Sequence, residues 1–565
     1  MNDFYKVGKM NELSNIFTKI NIQIIELLSK EKLHIREIAD RIKCSPAKVH
    51  ACIRIFKNND IVREVNEKNR KVIVLNLQNE LARQVVQIVN ADKAVDPSMV
   101  SENINLFHAI SPLDFRYYGR NKGIFEKLQP YLSEAGFVKY ALKVESALTN
   151  VLAKNKVCSK KIADEVKKAC RQVTPEQVYV EEDRIKHNMR ALANSIRDRV
   201  SEEAKPFVHF TSTSYDIIAT ADALRYKEFT ENILVPGLLK FQKTLIDLAL
   251  REKNTIQIGR THGQHAEPIT FGFAIAQYVS RFGHSIARIR KTSNNLRGKM
   301  SGAVGAYNAS SLFFNEPVKF EKEVMEELGL KASPISTQIV ESEYFVAYLN
   351  SVVSAFGVIA NLADDMRHLQ RNEIGEVGEF FEAKQVGSST MPQKRNPINF
   401  ENVKSMWKAI MPRMMTMYMD QISEHQRDLT NSASMRFIPE ILAGFYVSVA
   451  RLDKVMSSLA VDKANMQRNF DLNKQMIVAE PLYILLAANG HPDAHEYVRE
   501  MTLKSQLTKK SLIELVKKDR TIHPYLNKLN KKQIEIINKP EKYIGIAAKK
   551  TEMVCEKWKR EFNLL

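Results

Sequence analysis

At 565 residues the chain is too long for one compact domain. A span of roughly 100–200 residues per domain predicts several. Hydrophobic residues at 44% and charged residues at 26% are ordinary for a globular protein and exclude wholesale disorder, while a net charge of +19 points to nucleic acid, anionic lipid or a small polyanionic substrate.

Residues 1–110 hold 17 Lys/Arg against 13 Asp/Glu, a net of +4, and residues 501–565 hold 16 against 7, a net of +9. The excess is therefore not concentrated at the N-terminus, where a DNA-binding module would first be sought. Five scattered cysteines (Cys44, Cys52, Cys158, Cys170, Cys555) show no CxxC spacing, so neither a disulfide framework nor a zinc ribbon is indicated. That usage fits the reducing cytoplasm. The opening Met1-Asn2-Asp3-Phe4-Tyr5-Lys6 lacks the apolar core of a signal peptide. The longest uncharged apolar stretch, residues 348–363, falls short of the roughly 18–20 residues of a membrane span. A cytoplasmic protein with no membrane partner is expected.

In chain order, Ile16, Ile20, Ile24 and Leu28 recur every four residues, the period of a helix burying one face. A short helix over 35–42 follows, then the turn Lys43-Cys44-Ser45-Pro46, with Ser45 as N-cap and Pro46 at the first helical position. The next helix runs over 47–57, with Val49, Ile53 and Phe56 on one face. Two β-prone runs, 61–65 and 71–77, are joined by the polar turn 66–70. This order resembles a winged helix-turn-helix domain, expected over residues 1–95. In that reading the 47–57 helix is the recognition helix, and Lys48, His50, Arg54 and Lys57 could meet phosphates or bases. Winged helices also dock proteins, so the partner is DNA or protein. A linker is expected near residues 92–103.

From residue 107 onward the chain reads as helical with hardly a strand. Long apolar or amphipathic runs at 233–249, 271–289, 344–369 and 406–422 predict a helical bundle. The uncharged run 352–360 should be buried all round, within the chain or against another subunit.

The most informative stretch is Gly387-Ser388-Ser389-Thr390-Met391-Pro392-Gln393-Lys394-Arg395-Asn396-Pro397. Small, polar and proline residues between helical regions predict a loop. Such a loop can close over an anion, exclude water and bring a hydroxyl to a reacting carbon. A serine base needs strong help at neutral pH, which backbone N–H groups and Lys394 could supply.

This segment resembles the signature loop of the fumarase/aspartase superfamily, GSSxMPxKxNP, at all eight defined positions. Three further segments are similar to superfamily regions in the same order. They are Val208-His209-Phe210-Thr211-Ser212-Thr213-Ser214-Tyr215-Asp216, then Gly259-Arg260-Thr261-His262-Gly263-Gln264-His265-Ala266-Glu267-Pro268, then Ser301-Gly302-Ala303-Val304-Gly305. Within the superfamily, Ile110-Ser111-Pro112-Leu113-Asp114-Phe115-Arg116-Tyr117, Pro334-Ile335-Ser336-Thr337-Gln338 and His425-Gln426-Arg427-Asp428-Leu429-Thr430-Asn431-Ser432 are similar to segments of the adenylosuccinate lyases. The resemblance covers residues 107–565 and leaves the N-terminal domain outside.

It implies a mainly α fold: a fumarase/aspartase-type long helical bundle preceded by the small winged helix. Its expected parts are an N-terminal helical domain (107–212), a central bundle (213–466) and a C-terminal helical domain (467–565). It also implies a homotetramer whose sites form at subunit junctions. The implied reaction is β-elimination of fumarate from adenylosuccinate, leaving AMP, and from the succinylaminoimidazole-carboxamide ribotide of purine synthesis. No cofactor or metal is needed. By motif position, Ser388 matches the catalytic base and His262 the general acid. Lys394 and Asn396 would bind the succinyl carboxylates, and Glu401 would orient a histidine. His187 and His209 match substrate-binding histidines, His187 near the phosphate. Arg116, Tyr117, Arg427, Ser432 and Arg436 match nucleotide-binding positions, arginine being suited to bidentate phosphate contact. Thr213, Ser214 and Gln338 would hydrogen-bond the substrate, and either Ser388 or Ser389 could reach it after a loop shift.

Alternatives remain at this level. Gln393 also suits argininosuccinate lyase, Met435-Arg436-Phe437 is an unusual setting for a nucleotide-binding arginine, and a carboxymuconate cycloisomerase shares the scaffold. A DNA-binding regulator using the lyase body as a sensor is the reading from a different class. His265 lies one helical turn from His262 if that segment is helical, which suggests a metal pair, but no third ligand is near. His491 and His495 raise the same question and receive the same answer: polar packing.

Overall fold

The computed structural model describes residues 19–82 apart from 30, 68, 69, 77, 80 and 81, and residues 110–564 apart from 112, 381–389, 392 and 428. The chain divides into two compact units, Met1–Ile104 and Asn105–Leu565.

In the first unit, α1 (Lys19–Leu28), α2 (Ile35–Arg41) and α3 (Pro46–Asn58) precede a hairpin of β1 (Val62–Glu67) and β2 (Arg70–Leu75). Apolar residues at helical spacing close one core: Ile24 and Leu28 of α1, Ile38 of α2, Val49, Ile53 and Phe56 of α3, and Ile73 of β2. His34 caps α2 reciprocally with Glu37, an arrangement that satisfies two orphan amides. Ser45 stands at the N-cap of α3 as expected, but its side chain makes no capping bond; Pro46 alone presets the first turn. The strands pair from Val62↔Leu75 to Glu67↔Arg70, so pairing reaches into the stretch expected to be a wide turn.

The second unit is mainly α. Helices α4 (Glu134–Lys154), α5 (Asn188–Arg197) and α6 (Ser214–Phe229) lead into a bundle. That bundle is α7 (Val235–Arg251), α8 (Phe271–Ser293), α9 (Ser342–Leu369), α10 (Ile398–Ile410) and α11 (Ile438–Ser457), and α12 (Ala547–Phe562) returns from the far end of the chain to pack on α7 and α8. One continuous core spans residues 128–466 together with Cys555, Trp558 and Phe562 of α12. A separate cluster, from Val478 to Ile537, holds the segment before α12. By length and composition α9 could cross a membrane, yet 56% of its most apolar window is buried inside the protein. Within the uncharged run, Ser354 is open to solvent in the single chain, so burial there is not complete.

Two expectations are corrected. Residues 406–422 are not one helix: α10 ends at Ile410, and a new helix, Arg413–Met419, starts after Pro412. Proline lacks the N–H needed to continue the ladder and its ring crowds the preceding turn. The Arg260–Pro268 segment is not helical either. It is a β-hairpin, β3 (Ile256–Thr261) and β4 (Gln264–Thr270), with a register shift between Ile258 and Arg260. Gly259 stands at that bulge, where a Cβ would lie 2.6 Å from the Glu267 carbonyl oxygen. His262 and His265 therefore do not lie one helical turn apart.

Candidate active site

The expected site residues fall into two groups. Of the first, Ser432 and Arg436 line a cavity of about 500 Å³ together with Asn188 and Tyr215. The starts of several helices reach it: Asn188 and Ser342 open α5 and α9, and Tyr215 is the second residue of α6. Helix N-termini present unpaired N–H groups and favour anions. Phe137, Val178, Phe345 and Met435 supply apolar wall suited to a flat ring. The acids of the lining are largely engaged: Asp222 with Arg225 at 2.7 Å, Glu134 with the Tyr179 hydroxyl at 2.7 Å, and Asp420 with the Ser434 hydroxyl at 2.7 Å.

Around this cavity, His187 is the N-cap of α5, and its Nδ1 accepts from the Arg190 N–H at 3.2 Å. That bond assigns the proton of a neutral ring to Nε2. Thr213 is the N-cap of α6, its N–H bonded to Asp216 at 2.8 Å, and Ser214 is the first helical residue. Gln338 lies in the loop that precedes α9, its N–H 3.5 Å from the Gln426 carbonyl. Arg436 sits exposed on the short turn Ser434–Phe437, and Ser432 is exposed beside it.

Arg427 is the most distinctive member. Its guanidinium lies 5.3 Å from the Tyr215 ring centre, and Nε and both terminal nitrogens are buried without a hydrogen-bond partner among the described residues. Asp420 is within electrostatic range, but burial holds that carboxyl above the ordinary range, against the Ser434 hydroxyl and the Arg427 charge. A buried unpaired guanidinium is costly, and an anion placed there would relieve it.

Arg116 and Tyr117 lie on the π-helical turn Leu113–Gly119, which packs against α11. Arg116 is exposed, and the Tyr117 hydroxyl is 3.5 Å from the Asn402 amide nitrogen, next to Glu401 on α10. Glu401 is exposed, and no hydrogen bond or ion pair joins it to a histidine among the described residues. Lys394 is exposed, its N–H bonded to the Met391 carbonyl at 3.0 Å; Asn396 is half-buried. The stem of their loop is anchored by Glu379, which accepts from the Asn399 and Phe400 N–H groups at 2.9 and 3.0 Å and caps α10. Ser388 and Ser389 lie outside the described residues.

The second group is the β3–β4 hairpin. His262 stands at its tip, exposed and at φ +54°, followed by Gly263 at φ +76°. The hairpin packs on the helix Lys463–Ile477, and Asn473 lies 3.2 Å from Nδ1 of His265. Burial, then the Arg260 charge, lowers the His265 pKa. Its base is held by the fully buried Glu376, which accepts from Arg260 at 2.6 Å, Gln257 at 2.7 Å and Asn469 at 2.9 Å. Nothing among the described residues bonds His262 to the cavity group. No metal-binding cluster of His, Cys, Asp or Glu occurs among them.

His209 belongs with the cavity group by sequence and carries an unforeseen partner. Its Nδ1 is 2.6 Å from Oε1 of Glu145, a wholly buried carboxylate on α4. Glu145, Lys299 and Glu376 escaped the sequence reading. The available signal was a lone acid at a core-facing helical position: Glu145 follows Val144 and is four residues from Ala141, both buried.

In the first unit, Lys48, His50 and Arg54 are exposed on α3. Lys57 instead pairs with Glu64 of β1 at 2.6 Å, so an intramolecular partner already occupies it.

Residues 116–411 match a family described as lyase, and residues 423–544 match one described as adenylosuccinate lyase C-terminal. A curated adenylosuccinate lyase of Archaeoglobus fulgidus is 34% identical over 458 residues, 80% of this chain and 99% of the relative. That of Pyrococcus horikoshii is 34% identical over 79% of this chain and 98% of its own. Among solved structures, a fumarate lyase from Mesorhizobium sp. BNC1 superposes with a TM-score of 0.67 at 23% identity, over 76% of this chain and 97% of the other. A 3-carboxy-cis,cis-muconate lactonizing enzyme from Pseudomonas putida gives 0.66 at 21%, over 77% and 97%. At those identities the two structures speak to fold alone.

Proposed function

The chain belongs to the adenylosuccinate lyase family of the fumarase/aspartase superfamily, and from that premise we infer how its residues divide the work of a carbon–nitrogen lyase. The reaction is β-elimination of fumarate from adenylosuccinate, giving AMP, with the succinylaminoimidazole-carboxamide ribotide as second substrate. Ser388 takes the proton from the carbon beside a carboxylate, and the electron pair spreads into that carboxylate. Lys394 and Asn396 stabilise the added charge. His262 protonates the departing nitrogen. Arg427, Ser432 and Arg436, with Arg116, Tyr117 and His187, hold the nucleotide, while His209, Thr213, Ser214 and Gln338 hold the rest of the substrate.

The observation that carries this reading is Arg427, a buried cation without a partner among the described residues, stacked on a tyrosine that lines the cavity. A nucleotide phosphate supplies the missing partner. Purified protein assayed for fumarate release from adenylosuccinate, the imidazole ribotide and argininosuccinate tests it. Silence with the first two and turnover of the third overturns the assignment.

His262 stands exposed at a hairpin tip and bonds to none of the cavity residues among the described ones, and we infer that a site joining them is completed by another copy of the chain. Exposed apolar residues Met411, Met415, Met419 and Ile422 suit such a contact, and a cytoplasmic homotetramer is the form we assign. For the first unit, a winged helix-turn-helix, we assign duplex nucleic acid as partner. The exposed side of α3 carries Lys48, His50 and Arg54 and no acid, while Glu31, Glu64 and Glu67 of that unit are each taken up by a neighbouring cation. Fluorescence anisotropy of a labelled duplex with the full chain, across a salt series, decides: no salt-sensitive binding removes this part.

A further inference from the structure

His209 sits in an awkward stretch of backbone. Its φ is +60°, and Thr211, two residues on, has φ +62°. Positive φ is uncommon for a histidine and a genuine outlier for a β-branched threonine, and the surroundings must compensate the strain. Glu145 makes two bonds that do so. One carboxylate oxygen accepts the His209 backbone N–H at 3.1 Å, and the other meets ring Nδ1 at 2.6 Å. The clamp reaches across 64 residues, from the middle of α4 to the loop that feeds the N-terminus of α6.

The choice of side chain needs an explanation. The Glu145 side chain is 0% exposed, on a helix face otherwise built from Ala141, Val144, Leu148 and Leu152. Burying a carboxylate is costly, whereas glutamine of the same shape could accept the backbone N–H and hold the loop. What glutamine cannot supply is a charge. A carboxylate against Nδ1 fixes the proton there and favours the imidazolium, whose second proton then sits on Nε2. The His209 ring is 20% exposed, and no described residue bonds Nε2. That nitrogen is left to a ligand.

We propose that Glu145 is a positioning residue of the elimination: it locks His209 into one orientation and keeps it a cation, so that Nε2–H is offered to an anionic group of the substrate. This rests on the lyase reading above. Other charged groups near the pair act in both directions. Asp216 of α6 favours the charged ring, Arg190 of α5 opposes it, and the Cys170 thiol of the helix Lys160–Gln172 lies beside Glu145. Burial alone would disfavour the imidazolium, but the Glu145 charge and hydrogen bond outweigh it, so the His209 pKa is raised.

The test uses the full-length protein and two readouts. In the first, diethyl pyrocarbonate, which acylates only neutral imidazole, is applied across pH, and labelling of the His209 peptide is followed by mass spectrometry. In the wild type the midpoint should lie above the ordinary histidine value of about 6.5, and in Glu145→Gln it should fall. A wild-type midpoint at or below that value, or identical curves for both proteins, overturns the proposal. The wild-type curve decides even if the variant does not fold. In the second readout, fumarate release, Glu145→Gln should lose on the order of 10- to 100-fold in kcat/KM, the scale at which partners of a working histidine act. The alkaline limb of its pH profile should move to lower pH, while Glu145→Asp keeps the wild-type limb. Superimposable Gln and wild-type profiles overturn the proposal. Wild-type protein that turns over no succinyl substrate rejects the lyase reading instead, and the labelling curves still judge the Glu145–His209 pair.

Discussion

Lys299 and Asp216 form an ion pair from which both side chains are wholly excluded from solvent. Asp216 also accepts the Gly302 N–H at 3.2 Å and the Thr213 N–H at 2.8 Å, and the Lys299 ammonium donates to the Gly302 carbonyl at 3.0 Å. One buried pair thus ties the start of α6, with Thr213 and Ser214, to the glycine-rich turn at 301–305. Ser301 extends the link through a 2.6 Å hydroxyl contact to Ser336, two residues before Gln338.

Removing one charge should expose what the pair holds together. Lys299→Met leaves Asp216 buried and unpaired, at an expected cost of about 3–5 kcal/mol, and the double variant Asp216→Asn/Lys299→Met should recover a good part of it. Denaturant unfolding of all three proteins measures this. A Lys299→Met protein as stable as wild type would contradict it.

Arg427 should behave in the opposite sense. Its buried nitrogens lack partners among the described residues, so the side chain should destabilise the ligand-free protein. Arg427→Leu is expected to raise the melting temperature without ligand, while AMP affinity falls about tenfold or more, the loss of roughly 1.4 kcal/mol or more of charge-assisted bonding. Thermal shift with and without AMP reads both effects in one experiment.

Two glycines distinguish strain from collision. Gly263 has φ +76°, and a Cβ added there would meet nothing within 4 Å, so Gly263→Ala should cost only about 1–2 kcal/mol of backbone strain. Gly305 has φ +78° and would place a Cβ 1.9 Å from the Ser336 carbonyl oxygen. Gly305→Ala should therefore fail to fold or lose activity wholesale. Comparable melting temperatures for the two variants would refute the distinction.

The raised His209 pKa has a definite sign for stability. The native state holds the proton more tightly than the unfolded chain, so the stabilisation is complete below the unfolded value of about 6.5. It is lost as pH rises through the folded value. The stability gap between wild type and His209→Asn should accordingly be larger at about pH 6 than at about pH 9. A gap that does not depend on pH would mean the folded ring titrates like the unfolded one, and a gap that shrinks toward pH 6 would mean the ring is held neutral.

Ser388→Ala and His262→Ala should each reduce fumarate release by about 10²–10⁴-fold, the range of general acid–base groups, with circular dichroism and oligomeric size unchanged. Near-normal turnover in the serine variant moves the base to Ser389 or elsewhere.

By itself, the sequence determined the local features: the helical faces of α1 and α3, the Pro46 start, the bundle helices, and the residue types gathered in the signature motifs. Each depends on neighbours a few positions away, and the apolar period or the turn chemistry reports it directly. Tertiary structure alone decided which motif residues share the cavity with Tyr215 and Ser432, and that His262 stands at the tip of a hairpin. It alone disclosed the charges that hold the site: Glu145 on His209, Lys299 on Asp216 and Glu376 on Arg260, partners 64, 83 and 116 residues apart. The free energy of a buried charge depends on what stands opposite it in space, and no spacing along the chain encodes that.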